Sequence, residues 1–365
     1  MAEYADLEII VGTYEEILLA YRVTVVGEEW QMEESFTDHS HLGSIRNVAV
    51  SKRRGFLASG GTDETVWLYS LKSRRLIGSL TQHTGSVTYL QFHQGSHLFS
   101  CSEDGTLCLW KTFTWECLRT FKGHKGGINC VAVHPSGKLA LSVSKDKTLR
   151  AWNLLKGRRA YVTNLYRVAD LVIWSPTGDN YILVFGNKIE VYLTENAALT
   201  RIIEASGRVN AVLFVTDSLI AFAGESSEIE FYDIVKDASQ HKITFSSTRT
   251  RGLCFKKLPS GKEILISACS DGFIRIWNVS LTTDGITTKC LLQHNSTFRL
   301  TCLDAFVNVP KQPSATRELK TKNEEQQSEE ETLSPLPVKS KEHLSKRARH
   351  EEGVEITKKK KKKKI

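Results

Sequence analysis

HKGGINCVAVHPSGKLALSVSKDKTLRAW, residues 124–152, decides the fold, because the chain repeats that pattern twice before it. Residues 83–110 read HTGSVTYLQFHQGSHLFSCSEDGTLCLW and residues 41–69 read HLGSIRNVAVSKRRGFLASGGTDETVWLY, so the leading histidines stand 42 and 41 residues apart. Self-similarity at a period near 40 marks an array of units, none of which can bury its own apolar faces; stacked neighbours supply the core. Apolar positions alternate inside each unit. Val131 and Val133 share one face, and Leu139 and Leu141 share a face of the next segment, the period of half-buried strands.

The polar residues keep fixed offsets. His41, His83 and His124 precede Asp63, Asp104 and Asp146 by 22, 21 and 22 residues. Ser59, Ser100, Ser142 and Ser267 each stand four before Asp63, Asp104, Asp146 and Asp271, and six residues after each Asp comes Tyr69, Trp110, Trp152 or Trp277. Such constancy puts the Asp in a tight turn between two strands and the aromatic on the second of them. This is the signature of a WD40 blade, four strands per repeat. His, Ser and Asp together resemble a catalytic triad, but several copies in one chain argue against catalysis. A His bridging a carboxylate, a hydroxyl and an indole N–H satisfies a blade's own loop-end groups.

Later units are worn. The fourth, about residues 168–203, puts Asn187 and Tyr192 where Asp and Trp are expected; the fifth, about 209–245, has Tyr232-Asp233 for Trp-Asp; the sixth, about 250–292, recovers the pattern. Six blades therefore begin at Ile45. The seventh has to be shared between the ends: RLTCLDAF (299–306) reads as one strand, and LEIIVGTYEEILLAYRV with EWQMEESF reads as three. The predicted fold class is all-β, a seven-bladed WD40 β-propeller over residues 1–309 closed by N- and C-terminal strands, which leaves no open sheet edge in the ring's closure.

Residues 310–365 lose periodicity and aromatics, and predict a disordered tail. Their halves differ in charge: residues 310–335 hold 4 basic and 6 acidic side chains, and residues 336–365 hold 12 and 4, whereas residues 1–309 hold 33 and 31. Lys346, Arg347 and Arg349, with the run Lys358, Lys359, Lys360, Lys361, Lys362, Lys363 and Lys364, predict nuclear or nucleolar targeting and RNA contact. Ser334, before Pro335, is a candidate phosphosite between the halves. No apolar run is long enough to span a bilayer, the acidic start MAEYADLEII does not read as a secretory signal, and no lipidation motif adjoins the lysines; no membrane partner is expected. The eight cysteines lack metal-ligand spacing and predict buried, reduced thiols. No phosphate-binding loop or nucleophile elbow appears, so no catalysis, cofactor, metal or small-molecule substrate is expected.

Particular segments say more than the repeat does. TWECLRTFKGHKG (114–126), HPSGKLALSVSKDKTLRAWNLLKGR (134–158), SACSDGFIRIWNV (267–279) and RLTCL (299–303) closely resemble the p21-activated protein kinase-interacting protein family. The resemblance covers residues 1–309 and extends to the Lys-rich character of the tail. It implies a nucleolar, non-enzymatic scaffold that acts in large ribosomal subunit assembly and pre-ribosomal RNA processing. It also implies a negative regulator that binds the N-terminal regulatory region of p21-activated kinase; the alternative is a cytoplasmic signalling adaptor and kinase inhibitor with no ribosomal role. The end bearing the His and Asp loops is the expected partner face, with Lys125, Lys145, Lys147 and Lys188 as candidate contacts.

Overall fold

A computed structural model of the chain describes residues 3–27, 29–51, 55–245, 248–282 and 285–308. Their 28 strands form seven antiparallel four-stranded sheets. The closing blade has the order β28-β1-β2-β3, with β1 (Glu3–Thr13), β2 (Leu18–Val26), β3 (Glu29–Asp38) and, as its inner strand, β28 (Leu300–Val307). One strand from the C-terminal side thus pairs with three from the N-terminal side, Ile9 opposite Ala305 and Val11 opposite Leu303.

The other six blades each follow chain order from inner to outer strand. The first holds β4 (Ile45–Val50), β5 (Phe56–Gly61), β6 (Val66–Ser70) and β7 (Arg75–Leu80); the second β8 (Val87–His93), β9 (His97–Ser102), β10 (Leu107–Lys111) and β11 (Cys117–Phe121). The third holds β12 (Ile128–Val133), β13 (Leu139–Ser144), β14 (Thr148–Asn153) and β15 (Arg158–Asn164); the fourth β16 (Leu171–Trp174), β17 (Asn180–Phe185), β18 (Lys188–Leu193) and β19 (Leu199–Glu204). The fifth holds β20 (Val209–Phe214), β21 (Leu219–Gly224), β22 (Glu228–Asp233) and β23 (Ala238–Thr244); the sixth β24 (Thr250–Lys257), β25 (Glu263–Cys269), β26 (Phe273–Thr282) and β27 (Gly285–Asn295).

The core is divided among the blade interfaces. Strand alternation sends successive side chains to opposite neighbours: on β13, Ala140 packs toward the second blade with Phe99 and Trp152, while Leu141 and Val143 pack toward the fourth with Val172 and Leu183. The same division recurs at every interface, giving one apolar cluster for each adjoining pair of blades. No blade has a core of its own, so the fold's stability is collective.

Near the axis, side chains stitch one inner strand to the next. Asn47 Oδ1 accepts from Leu90 N–H (3.0 Å), Gln91 Oε1 from Val133 N–H (3.0 Å), and Asn129 Nδ2 donates to the Ala169 carbonyl (2.8 Å). Asp304 on β28 does this for the closure. Its Oδ2 accepts from Val50 N–H (2.8 Å), and Lys256 Nζ lies 3.3 Å from Oδ1, so one carboxylate ties the sixth, seventh and first blades. Gly12 is required at this seam, since a Cβ there would come within 2.5 Å of Ile45 and 2.7 Å of Cys302.

All eight cysteines are free thiols and six are buried; Cys117 is half-buried and Cys290 exposed, which corrects the expectation of uniform burial. Cys290 lies on β27, the outermost strand of its blade, where only one sheet neighbour covers a side chain. No helix among the described residues is long and apolar enough to cross a membrane.

Candidate functional site

The tight turns between the second and third strands, and the connections from one blade's outer strand to the next blade's inner strand, gather at one end of the ring. Residues after Asp63, Asp104, Asp146 and Asp271 all have positive φ: Glu64 at 63°, Gly105 at 78°, Lys147 at 62° and Gly272 at 94°. The left-handed step turns the chain sharply enough for the Asp side chain to reach the connection entering its own blade.

In the third blade that reach makes a closed network. His124 Nδ1 lies 2.9 Å from Asp146 Oδ2, and its Nε2 lies 2.8 Å from Ser142 Oγ, which also accepts the Trp152 indole N–H at 2.8 Å. The second blade repeats this with His83, Asp104 (3.2 Å), Ser100 (2.8 Å) and Trp110 (2.8 Å). Thr106 and Thr148, two residues beyond each Asp, donate both N–H and hydroxyl to its Oδ1. The sequence reading missed these threonines, although Asp-x-Thr at matched positions was a legible signal.

Electrostatics follow from these contacts. Burial alone would raise the Asp104 and Asp146 carboxyls, but donors from threonine, backbone and histidine outweigh it and hold both below the usual carboxylate range. Burial pushes His83 and His124 down, against the pull of their aspartates. The hydroxyls of Ser100 and Ser142 are engaged by ring nitrogen and indole, so the arrangement pins a connection to its blade and presents no free nucleophile.

The first blade departs from the expected assignment. His41 meets Asp63 (2.9 Å) and Ser59 (2.7 Å), but the indole donor to Asp63 is Trp67 at 3.3 Å, and Tyr69 gives its hydroxyl to Asp38 of the closing blade at 2.8 Å. Tyr69 therefore links two blades. In the sixth blade Trp277 donates to Ser267 at 3.3 Å, while Asp271 accepts from Thr248 N–H and Phe273 N–H, each at 3.3 Å. The worn blades use other chemistry. In the fourth, Arg167 pairs with Glu190, which accepts the Tyr192 hydroxyl at 2.7 Å; in the fifth, Asp233 caps its own turn through Val235 N–H (2.9 Å) and Tyr232 donates to Asp237 (2.8 Å).

Lys125, Lys145, Lys147 and Lys188 all stand at the loop end, in two different states. Lys145 pairs with Glu103 (2.9 Å) and Lys188 with Glu204 (2.6 Å), whereas Lys125 and Lys147 are exposed and make no ion pair among the described residues. The same end carries an arginine group that the sequence reading missed. Burial and the charges of Arg249, Arg299 and Arg208, only partly offset by Glu225, press Arg251 below the usual arginine value. Arg208 is held by Asp170 (2.9 Å), and the Arg299 guanidinium stacks 5.1 Å from the centre of the exposed Tyr14 ring. Lys346, Arg347, Arg349, the lysines from 358 to 364 and Ser334 lie outside the described residues.

The WD domain, G-beta repeat model matches residues 31–70, 74–111 and 115–153. Across most of the chain, a p21-activated protein kinase-interacting protein 1-like protein of Xenopus laevis is 39% identical over 302 residues, covering 83% of this chain and 82% of the relative. The chain belongs to the p21-activated protein kinase-interacting protein family. The human p21-activated protein kinase-interacting protein 1 is 34% identical over 83% of this chain and 78% of its own length. Protein MAK11 of Saccharomyces cerevisiae is 30% identical over 53% of this chain and 52% of its own length. This family member is thus a WD40 propeller in which all seven blades are built, while the repeat model matches only the three that keep the full motif.

Proposed function

We propose that this protein is a non-enzymatic scaffold of the nucleolus that acts in large ribosomal subunit assembly and pre-ribosomal RNA processing. We propose further that it restrains p21-activated kinase by binding the kinase's N-terminal regulatory region. The observation that carries this reading is family membership over the whole propeller, joined to a tail whose last 30 residues hold 12 basic and 4 acidic side chains. The exposed Lys125 and Lys147 and the arginines around Arg251 support an anionic partner at the loop end. Lys346, Arg347, Arg349 and the terminal lysines supply targeting and phosphate contact, and phosphorylation of Ser334 adds negative charge beside them.

Two experiments test the two arms. Depletion, followed by labelling of ribosomal RNA, is expected to stall large-subunit precursors, with rescue by the full chain and not by a chain lacking residues 336–365. Normal maturation in depleted cells, with tail-less protein still nucleolar, would remove the ribosomal arm. For the kinase arm, the names of the relatives motivate capture on the regulatory fragment and a fall in autophosphorylation as propeller is added. An unchanged activity curve would remove that arm alone.

A further inference from the structure

Between the second and third blades lies a charge that the repeat network leaves without a hydrogen-bond partner among the described residues. Arg150 stands two residues before Trp152 on β14 and is 7% exposed. Its Nε and Nη1 are buried without a hydrogen-bond partner among the described residues. Asp146 is the carboxylate whose charge reaches it, but Oδ1 is occupied by the N–H and hydroxyl of Thr148, and Oδ2 by His124 and the Lys125 N–H.

Register explains the vacancy. Arg150 sits opposite Val162 on β15, which offers no side-chain acceptor. Its counterpart in the sixth blade, Arg275, sits opposite Gln293, donates Nε to Oε1 at 2.9 Å, and lies 5.0 Å and 4.9 Å from the ring centres of Phe245 and Phe273. The same position is satisfied in one blade and not in the other. Two buried guanidinium nitrogens without acceptors are costly, and such groups in folded proteins are met by a water, an ion or a ligand.

A groove of about 390 Å³ is lined by Arg119, Phe121, Lys122, Trp152, Arg158 and Arg159, with no carboxylate in its wall, and Trp152 forms its floor two residues after Arg150 on the same strand. Gly123 follows Lys122 where the chain passes over the guanidinium; a Cβ there would lie 2.6 Å from Arg150 Nη1. Arg159 sits opposite Trp152 across the β14–β15 ladder, so the groove's basic wall adjoins the strand that carries Arg150. Arg119, Lys122, Arg158 and Arg159 are all exposed.

We propose that this groove binds a phosphorylated peptide segment of a partner protein, with the phosphomonoester held by Arg150 and by Arg119 and Arg159 at the rim. A phosphorylated side chain carries close to two charges and three acceptor oxygens on a stalk that can reach a buried guanidinium. A phosphodiester in an RNA backbone carries one charge and is flanked by sugars that would have to enter with it. The site is independent of the nucleolar and kinase readings above and stands if either fails.

The test uses the full chain and two immobilised peptide libraries, degenerate except for a central phosphoserine in one and serine in the other. Wild-type protein is expected to bind the phosphoserine library about tenfold more strongly or better, the scale of charge-assisted hydrogen bonds. Arg150→Met fills the same space without a charge, so it should keep or raise the Tm while losing that preference. The exposed pair Arg119→Ala/Arg159→Ala cannot disturb the core and should weaken it severalfold. The tail is common to every variant, so differences among them report the groove. Equal capture on both libraries, or a preference that survives in both variants, overturns the proposal. So does displacement of the phosphopeptides by ten-nucleotide oligouridine whose own binding vanishes in the same variants, since the occupant is then nucleic acid.

Discussion

The third and fourth blades are neighbours with the same four-strand topology and different polar chemistry. The third pins its connection with His124, Asp146, Ser142, Trp152 and Thr148. The fourth has none of these; Arg167, Glu190 and Tyr192 form a partly exposed chain, and Tyr192 stacks on Tyr181 with ring centres 5.2 Å apart. Both blades nevertheless contribute to one buried cluster containing Leu141, Val143, Val172 and Leu183. The blade is therefore specified by alternation and by burial against its neighbours, and the motif adds local pinning. A blade relieved of the motif is free to vary at the loop end.

The largest loss should therefore come from the shared interface. Leu141→Ala should lower unfolding stability by about 3 kcal/mol in urea titration. Asp146→Ala, which releases three accepted hydrogen bonds and the His124 ring, should cost about 2 kcal/mol, and Tyr192→Phe, which removes one, about 1 kcal/mol. A Tyr192→Phe loss equal to that of Asp146→Ala would break the comparison. Lys145→Ala, at an exposed ion pair, should change stability by less than about 0.5 kcal/mol.

Acid should find the pinned blades first. His83 and His124 have folded pKa values below the unfolded value, so the unfolded chain binds more protons and stability falls as pH drops below about 6.5. Asp104 and Asp146 are also depressed; their contribution is complete above the unfolded value near 4 and declines as pH falls below it. His124→Gln should flatten the loss between about pH 6.5 and 5 in a series of thermal melts. An unchanged slope would show that the ring takes up protons equally in the folded and the unfolded chain.

The ring and its shared closing blade were legible because period, alternation and the leftover strands at each end are properties of the chain itself. The networks of the second and third blades were legible for the same reason, through constant offsets. Tyr69 stands by Ser59 as its offset implies, but spacing gives a residue's strand and face and not its hydroxyl's further partner, here Asp38, 31 positions away. That Arg150 lacks a partner among the described residues was invisible for a related reason: it depends on Val162 rather than Gln293 standing across the ladder, and on where the Lys122–Gly123 connection passes. The arginines around Arg251 come from three different connections and the start of one strand, so no local pattern announces them.

On the proposed function, the repeat network holds the scaffold and the exposed loop end selects partners. The most direct test of that function is recovery of large-subunit precursor proteins from nuclear extract with full-length wild-type chain and with Lys125→Glu/Lys147→Glu/Arg249→Glu, all three side chains being exposed. The variant should melt like wild type and lose most of those proteins. A variant that melts like wild type and recovers them undiminished would contradict it.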